Sequence, residues 1–480
     1  MSTTVTATGL GAVLGLTLAL LPSVPANADP ATCQGRAVTT VGDAGTDGDD
    51  VMVMGPGQKS VSTGAGNDVV CIRLTDDDSV KRYLFLDTGP GDDVVHNETT
   101  SSRRDVTVLL GAGADTFVGG DTNEAVYAGP GLGGDTTDTE RDVIDTRGGN
   151  DYVATGSESL GAPNPDVVAT GTGDDRVEWA GQQVGGSVDL GDGSNFLTLV
   201  EGWVGDVAID APSGTVTAGG TTVLRWSGGV ADYQLTFPNL RTSFIGTDAD
   251  ERVTYWPEVR TDDGSSSVPS DPDRRLDVDL RGGDDRLYLS DSASGSMIGG
   301  AGRDMLHGGG WCRASVVRLG STYDCEVRRR VHYSSTIDVW EKAVVLADKV
   351  EVVGSSGPDV IKVGGHTRIR LDGRGGDDVL TTIGSAGAGR NPRPAVVRGG
   401  AGYDELRGGY LADRLLGGPG DDLLRGNGGD DDVLGGAGRD RLFGGKGDDT
   451  LLGGSGRDRA DGQKGRDRCV AEVRRSCERR

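Results

Sequence analysis

Residues 399–470 read GGAGYDELR-GGYLADRLL-GGPGDDLLR-GNGGDDDVL-GGAGRDRLF-GGKGDDTLL-GGSGRDRAD-GQKGRDRCV, which is eight consecutive units of nine residues. Position 6 is Asp in every unit, and position 8 is aliphatic in all units but the last, where it is Cys. Glycines recur at positions 1, 2 and 4, where they permit sharp turns that other residues avoid. Two such units would form one coil of 18 residues, with the position-8 side chains pointing into a narrow core.

These units resemble the G-G-x-G-x-D-x-U-x nonapeptide of the repeats-in-toxin (RTX) family, in which U is a large aliphatic residue. The resemblance implies an all-β fold, a right-handed parallel β-roll or β-helix solenoid that binds Ca²⁺ between stacked turns. The solenoid should be regular in this block and irregular upstream of it. Leu411 occupies position 4 of the second unit, where the pattern has Gly, so we expect that turn to differ from the others.

The stacking of turns two units apart assigns the candidate calcium ligands to two edges of the solenoid. One edge would carry Asp404, Asp422, Asp440 and Asp458, and the other Asp413, Asp431, Asp449 and Asp467. The resemblance implies that neighbouring aspartates on one edge share a Ca²⁺ ion. Backbone carbonyl oxygens would complete the roughly six oxygen ligands that this ion prefers.

Looser versions of the unit occur upstream, and most of their turns are 19 to 26 residues apart. The resemblance extends the predicted calcium ligands to Asp50, Asp68, Asp285, Asp304, Asp359 and Asp378. Related turns contain Asp93, Asp115, Asp151 and Asp175. Asn195 replaces the repeat Asp within residues 183–260, which predicts β-rungs without calcium turns there. Helical segments are predicted only as short pieces near Glu341–Asp348 and in the C-terminal tail.

These patterns divide the chain into six segments. They are a signal peptide (1–28), an irregular RTX-like solenoid (29–182), solenoid rungs with insertions (183–350), degenerate repeats (351–398), the regular nonapeptide block (399–470) and a capping tail (471–480).

The N-terminal segment and the cysteines predict export. An apolar run, Gly9–Leu21, precedes the small-x-small pattern Ala26-Asn27-Ala28, which is typical of a secretory signal cut before Asp29. Six cysteines fit an oxidising compartment. Proximity in the sequence favours three disulfides: Cys33 with Cys71, Cys312 with Cys325 in a protruding hairpin, and Cys469 with Cys477 as a C-terminal cap.

Composition limits the partners and the type of core. Gly makes up 83 of 480 residues and aromatics only 5%, which suits a thin repeating core better than a thick one. The net charge of −26 disfavours nucleic acid and anionic membranes as partners. Beyond the signal peptide, no stretch has the roughly 20 apolar residues that a membrane span needs. We expect Ca²⁺ as the main partner, with an extracellular or cell-surface polysaccharide as a further candidate.

Catalytic motifs are missing from the sequence. It contains neither the H-E-x-x-H motif of zinc proteases nor the G-x-S-x-G elbow of lipases, and its four histidines are isolated. The expected function is therefore a secreted calcium-binding protein with a structural, adhesive or surface-binding role. The alternative is a secreted carbohydrate-active β-helix enzyme of the polysaccharide lyase or epimerase type, because residues 150–350 are irregular enough to contain a catalytic cleft.

Overall fold

The computed structural model describes most of the chain. The described residues are 32–55, 57–74, 83–99, 105–129, 139–157, 161–200, 203, 205–236, 241–256, 259–260, 266–267, 275–289, 295–302, 304–309, 314–318, 322–327, 331–338, 342–384 and 394–478. The predicted signal peptide lies outside them. The described part of the chain contains no helix long and apolar enough to cross a membrane.

Most strands pair in parallel with the strand one coil earlier and the strand one coil later, which is the arrangement of a solenoid. We call the first continuous set of parallel strands stack A. Its strands are Ala44–Thr46, Ser60–Gly64, Tyr83–Asp87, Asp105–Leu109, Asn123–Tyr127, Tyr152–Thr155, Arg176–Trp179, Asn195–Leu199, Val230–Leu235, Arg252–Tyr255, Arg286–Leu289, Met305–Gly309, Lys342–Val353, Val360–Gly375, Val379–Gly384, Glu405–Arg407, Leu423–Gly428, Arg441–Lys446, Arg459–Lys464 and Val473–Arg475.

A second set, stack B, supplies the other long side of each coil. Its strands are Val51–Met54, Val69–Ile72, Val94–Asn97, Thr116–Val118, Val143–Asp145, Val167–Ala169, Ser187–Asp189, Val207–Asp210, Thr215–Ala218, Thr221–Ser227, Arg241–Ile245, Arg275–Asp279, Gly295–Ile298, Ala314–Arg318, Thr322–Val327, Val331–Asp338, Val396–Ala401, Arg414–Pro419, Asp432–Gly438, Thr450–Gly456 and Arg468–Val470. The long strands Lys342–Val353 and Val360–Gly375 take part in both stacks. The predicted all-β parallel solenoid is confirmed.

One continuous hydrophobic core runs between the two stacks, from Met52 to Cys469. In the regular block it is narrow, because each unit contributes one fully or almost fully buried side chain at position 8. In the middle of the chain it holds large aromatic side chains, including Trp179, Tyr233 and Phe244. Burying a large apolar side chain contributes about 1.5–3 kcal/mol. The middle of the solenoid therefore gains more from its core per coil than the C-terminal block does.

Stack B contains two antiparallel interruptions. In the first, Val207–Asp210, Thr215–Ala218 and Thr221–Ser227 pair antiparallel to one another. In the second, Thr322–Val327 pairs antiparallel with a strand on each side. One of these neighbours, Ala314–Arg318, also pairs in parallel with residues 349–353. The predicted hairpin therefore lies within the stack and does not protrude from it, because its outer strands complete their hydrogen bonds with neighbouring coils.

Each end of the solenoid contains a disulfide bond. The structure pairs Cys33 with Cys71 and Cys469 with Cys477, as predicted. Cys312 lies outside the described residues, so its pairing with Cys325 stays a prediction. Three short strand pairs lie beside the stacks: Thr32–Cys33 with Arg36–Ala37, Pro163–Asn164 with Gln182–Gln183, and Val259–Arg260 with Ser266–Ser267.

Candidate metal centre

The position-6 aspartates of the regular block are linked from coil to coil by one repeated hydrogen bond. The backbone N–H of Asp404 donates to Oδ1 of Asp422 at 2.9 Å, and the N–H of Asp422 donates to Oδ1 of Asp440 at 2.9 Å. On the other edge, the N–H of Asp413 donates to Oδ1 of Asp431 at 2.7 Å. Each carboxylate therefore fixes the turn of the preceding coil. We call such a row a carboxylate ladder.

Five ladders occur in the described part of the chain, and every predicted calcium ligand belongs to one of them. Ladder 1 contains Asp50, Asp68, Asp93, Asp115, Asp142 and Asp166; ladder 2 contains Glu124, Asp151 and Asp175; ladder 3 contains Glu251, Asp285 and Asp304; ladder 4 contains Asp359, Asp378, Asp404, Asp422, Asp440 and Asp458; and ladder 5 contains Asp413, Asp431, Asp449 and Asp467.

Most ladder turns have left-handed backbone angles at positions 2 and 4, as at Gly400 (φ 120°) and Gly402 (φ 139°). We call these open turns. Their Oδ1 atom is bonded as described, but Oδ2 is buried and has no hydrogen-bond partner among the described residues. This holds for Asp68, Asp93, Asp151, Asp175, Asp285, Asp378, Asp404, Asp422, Asp431, Asp440, Asp449, Asp458 and Asp467. A buried carboxylate oxygen without a partner is costly, so these atoms indicate a cation.

The glycine at position 1 of the regular turns leaves a cradle beside this oxygen. A Cβ atom added to Gly417 would lie 2.3 Å from Oδ2 of Asp422 and 2.5 Å from the carbonyl oxygen of Gly435 on the next coil. The same convergence of a carboxylate and a carbonyl oxygen occurs at Gly373, Gly426, Gly435 and Gly444. No side chain fits there, and hard oxygen donors of these two kinds suit Ca²⁺. The residues present therefore fit a calcium site.

In several upstream turns position 1 is a buried threonine, as in the turns of Asp68 and Asp175. The Thr63 hydroxyl donates to the Thr88 carbonyl oxygen at 2.7 Å, and the Thr170 hydroxyl donates to the Leu190 carbonyl oxygen at 3.1 Å. The hydroxyl thus fills the cradle and bonds the carbonyl that faces it in the regular turns. These turns therefore have a side-chain hydrogen bond to the next coil that the regular turns lack, although Oδ2 of their aspartate is unbonded as well.

In a third kind of turn, which we call closed, a backbone N–H near the start of the turn donates to the carboxylate of the same turn. The N–H of Gly409 donates to Oδ2 of Asp413 at 2.7 Å, and no residue of that turn has a left-handed φ. The physical reason is Leu411, because a bulky side chain at position 4 disfavours the left-handed angle that an open turn requires. The turn predicted to differ does differ. The closed turns belong to Asp50, Glu124, Glu251, Asp359 and Asp413, each the first member of its ladder. In Glu124 and Glu251 only Oε1 is bonded in this way, and Oε2 is buried without a partner among the described residues.

Burial and the charges of neighbouring carboxylates raise the pKa values of the ladder aspartates. Burial, followed by the charges of neighbouring aspartates, raises the pKa of Asp422 to about 7, of Asp431 to about 8 and of Asp440 to about 6. Without a cation, Asp431 therefore keeps its proton at neutral pH, and Asp422 and Asp440 lose theirs only within about one pH unit of neutrality. A divalent cation would supply the missing charge and replace the proton.

No group of three or more His, Cys, Asp or Glu side chains in the described residues is arranged to hold a metal ion by itself. An ion between ladder turns must therefore take much of its coordination from backbone carbonyl oxygens, as the cradle geometry indicates.

Comparison with known families agrees with this geometry. A family model described as "RTX calcium-binding nonapeptide repeat (4 copies)" matches residues 107–132, 136–159, 294–310, 407–442 and 434–469. The chain carries RTX calcium-binding repeats. RTX nonapeptide repeats bind Ca²⁺, and the matched segments include ladder turns from both the irregular and the regular part. No curated protein matches the chain.

Some ladder members are absent from the sequence-based ligand set. Glu124 and Glu251 begin ladders 2 and 3, and Glu472 ends ladder 4 by accepting the N–H of Asp458 at 2.8 Å. Asp142 and Asp166 extend ladder 1. The signal for the Glu residues is the same spacing with a longer acid, which a search for Asp alone passes over.

Proposed function

We propose that this is an exported calcium-binding solenoid whose C-terminal third folds on Ca²⁺ outside the cell and serves a structural, adhesive or surface-binding role. The observation that carries the proposal is the run of buried Oδ2 atoms without a hydrogen-bond partner among the described residues in the open turns of the regular block, each beside the position-1 glycine of its turn. Export is supported by the predicted signal peptide and by the two disulfide pairs.

The geometry favours some predicted ligands over others. The strongest candidates for calcium ligands are the aspartates of open turns that have glycine at position 1. They are Asp378, Asp404, Asp422, Asp431, Asp440, Asp449, Asp458 and Asp467. Asp50, Asp359 and Asp413 are weaker because their second oxygen is already bonded within a closed turn. Asp68 and Asp285 are weaker because Thr63 and Leu280 occupy position 1 of their turns.

When bound, Ca²⁺ would supply positive charge between successive carboxylates of one edge. The ladder aspartates would hold it through Oδ2, and position-1 carbonyl groups would contribute further oxygens. The protein residues fix the turns: the Oδ1 bonds set the register of the coils, and the position-8 side chains provide the core beneath.

A catalytic role has less support. The described candidate centre holds no catalytic motif, and its acids are accounted for by ladder hydrogen bonds. We therefore propose a non-enzymatic role, with the β-helix carbohydrate-active enzyme as the alternative that a cleft in the irregular region would favour.

A calcium titration of the full secreted chain tests the proposal. Calorimetry should show binding of several ions per molecule, with midpoints on the order of 0.1–1 mM as in extracellular modules. Circular dichroism recorded in parallel should show β-signal increasing over the same calcium range. An unchanged spectrum between excess chelator and millimolar Ca²⁺ would contradict calcium-driven folding. Heat from ion binding without any spectral change would also contradict it.

A further inference from the structure

A groove of about 280 Å³ lies on the outer face of stack A, away from the regular calcium block. Phe196, Asp232, Arg252 and Arg286, which lie on four successive strands, line it. Asp250, Glu251 and Asp284, from the neighbouring turns, also line it. Its volume is close to the lower end of small-ligand pockets, about 300 Å³.

The groove arises where a carboxylate ladder stops. Asn195 takes the ladder position after Asp175, and its Nδ2 donates to the carbonyl oxygens of Leu190 at 2.8 Å and Gly229 at 2.9 Å. The pairing register shifts between Asn195 and Phe196, which leaves Ala231 as an extra residue in the next strand. Bulges of this kind redirect side chains and are frequent at binding sites. The groove therefore lies where Asn195 ends the ladder and the strand pairing is irregular.

An aromatic and guanidinium row borders the groove on its N-terminal side. The Arg176 guanidinium lies 4.6 Å from the ring centre of Phe196 and 5.8 Å from that of Tyr152. Tyr152 in turn donates through its hydroxyl to Glu178 at 3.0 Å. Stacking holds these flat groups in place on the sheet, so they present a preformed surface.

Acidic and basic side chains lie next to each other in the groove. Arg252 and Asp232 form an ion pair with an N–O distance of 2.9 Å, and Arg286 is exposed one strand further. Arg176 Nε and Asp232 Oδ1, on either side of Phe196, have no hydrogen-bond partner among the described residues. These two atoms are buried, so the groove offers a ligand its aromatic ring, the exposed Arg286 guanidinium and the carboxylates that line it.

We propose that this groove binds a short segment of a neutral polysaccharide. A sugar ring offers an apolar C–H face for Phe196 and hydroxyl groups that both donate and accept hydrogen bonds, which matches the alternating Asp and Arg side chains. Charge argues for a neutral sugar. The two arginines of the lining are outnumbered by Asp232, Asp250, Glu251 and Asp284, and both this local charge and the net charge of −26 repel polyanions.

Affinity electrophoresis in millimolar Ca²⁺ tests the proposal with the full chain. The gels would contain neutral galactomannan, xylan, β-glucan or starch, and polygalacturonate and chitosan would serve as charged comparisons. We expect retardation by at least one neutral polysaccharide, with the dissociation constant rising about tenfold or more in Phe196→Ala and in Arg286→Ala. Arg286 is exposed, so its replacement leaves the fold intact.

Phe443→Ala is the matched control. Phe443 is also a half-buried residue on the outer face of stack A, with the Arg425 guanidinium 5.6 Å from its ring centre, but it lies in the regular block. Its removal should leave binding unchanged. Three results would overturn the proposal: no retardation by any neutral polysaccharide, equal effects of Phe196→Ala and Phe443→Ala, or preference for polygalacturonate. Release of new reducing ends would make the groove an active site and overturn a purely binding role. Circular dichroism in Ca²⁺ separates these results from a failure of calcium-driven folding.

Discussion

At the scale of single residues, two positions of each nine-residue unit control what its aspartate can do. A left-handed residue at position 4 keeps the turn open and leaves Oδ2 unbonded, whereas Leu411 closes the turn on Asp413. Glycine at position 1 leaves a cradle, whereas Thr63 fills it with a hydroxyl. The same Asp can therefore be a metal ligand or a purely structural acceptor, depending on neighbours two and five residues before it.

Replacing Leu411 with Gly should convert the closed turn into an open one. Position 2 of this turn, Gly409, is already glycine, and the cradle at Gly408 is present, with an added Cβ only 3.0 Å from Oδ2 of Asp413. We expect one additional Ca²⁺ ion per molecule in the calorimetric stoichiometry. Ala412→Gly is the control, because it changes the exposed neighbour without touching position 4. Identical stoichiometries for the two variants would refute this control of the turn.

Asp440→Ala should impair calcium binding far more than Asp50→Ala. Asp440 sits in an open turn inside ladder 4, so its loss removes a ligand and also frees the N–H of Asp422. Asp50 is bonded within its own turn by the N–H of Thr46 at 2.6 Å. A hydrogen bond to a charged group contributes about 1.5–3 kcal/mol. The calcium midpoint should therefore rise about tenfold or more in Asp440→Ala and less than about twofold in Asp50→Ala. Equal shifts in the two titrations would count against the ladder assignment.

At the scale of elements, the last strand of the chain completes the solenoid. Val473–Arg475 pairs with residues 459–461 of the preceding coil, and Glu472 accepts the final ladder N–H. The disulfide from Cys469 to Cys477 holds this strand against the end of the core. A short helix was the sequence-based expectation for the tail, but a strand forms because an open coil end provides unpaired backbone groups.

The regular block was predictable from the sequence because its period is fixed. Each Asp of residues 399–470 has its partner 18 residues away, so spacing alone pairs Asp422 with Asp440. Upstream, the same bond spans 27 residues from Glu124 to Asp151 and 34 from Glu251 to Asp285, and spacing gives no guide. The lengths of the insertions between coils determine which acids become ladder partners. These partners can be identified only from the three-dimensional stacking of the coils.

The sequence failed to predict those elements whose strand pairing with distant coils outweighs the secondary-structure preference of the local sequence. Residues near Glu341–Asp348 resemble a short helix, yet they belong to the strand Lys342–Val353, which has parallel neighbours on both sides. Backbone hydrogen bonds to two adjacent coils outweigh weak helix propensity. The two antiparallel interruptions of stack B likewise depend on which coils the segments join.

At the scale of the whole molecule, the ladders make the calcium-free protein sensitive to pH. The pKa of Asp378 is raised to about 7 and that of Asp431 to about 8, chiefly by burial, from an ordinary value near 3.8. Because the folded pKa is above the unfolded one, protonation favours the folded state. This contribution is complete below about pH 3.8 and is lost as pH rises through 7 and 8. In calcium-free buffer the melting temperature should therefore be higher at pH 5 than at pH 8.

At saturating Ca²⁺ the melting temperature should no longer be higher at pH 5 than at pH 8, and it should be equal or lower. The reason is that the cation competes with protons for the same carboxylate oxygens. Scanning calorimetry at the two pH values, with and without Ca²⁺, provides the comparison. A calcium-free protein that is more stable at pH 8 than at pH 5 would contradict the assignment of raised pKa values to the ladders.

The two parts of the solenoid should also differ in their dependence on the ion. Upstream coils are bridged by threonine hydroxyls, such as the Thr146 bond to the Thr170 carbonyl at 3.1 Å, and enclose aromatic side chains such as Trp179. Coils of the regular block have glycine at position 1, with no hydroxyl to bridge the coils, and a core that narrows to Ala460. Without a cation, their stacked carboxylates repel one another, and the thin core offsets little of the ordering entropy.

Hydrogen–deuterium exchange of the full chain in excess chelator should therefore separate the two parts. Peptides from residues 394–478 should exchange rapidly and become protected when Ca²⁺ is restored. Peptides from residues 105–200 should stay protected throughout, because threonine hydroxyls bridge their turns to the next coil and their core is larger. A Thr146→Gly variant should shift its own region toward calcium dependence, since the substitution empties a cradle that the hydroxyl now fills. Uniform loss of protection along the chain on chelation would show instead that all coils depend on the ion alike, and that the threonine bridges do not replace it.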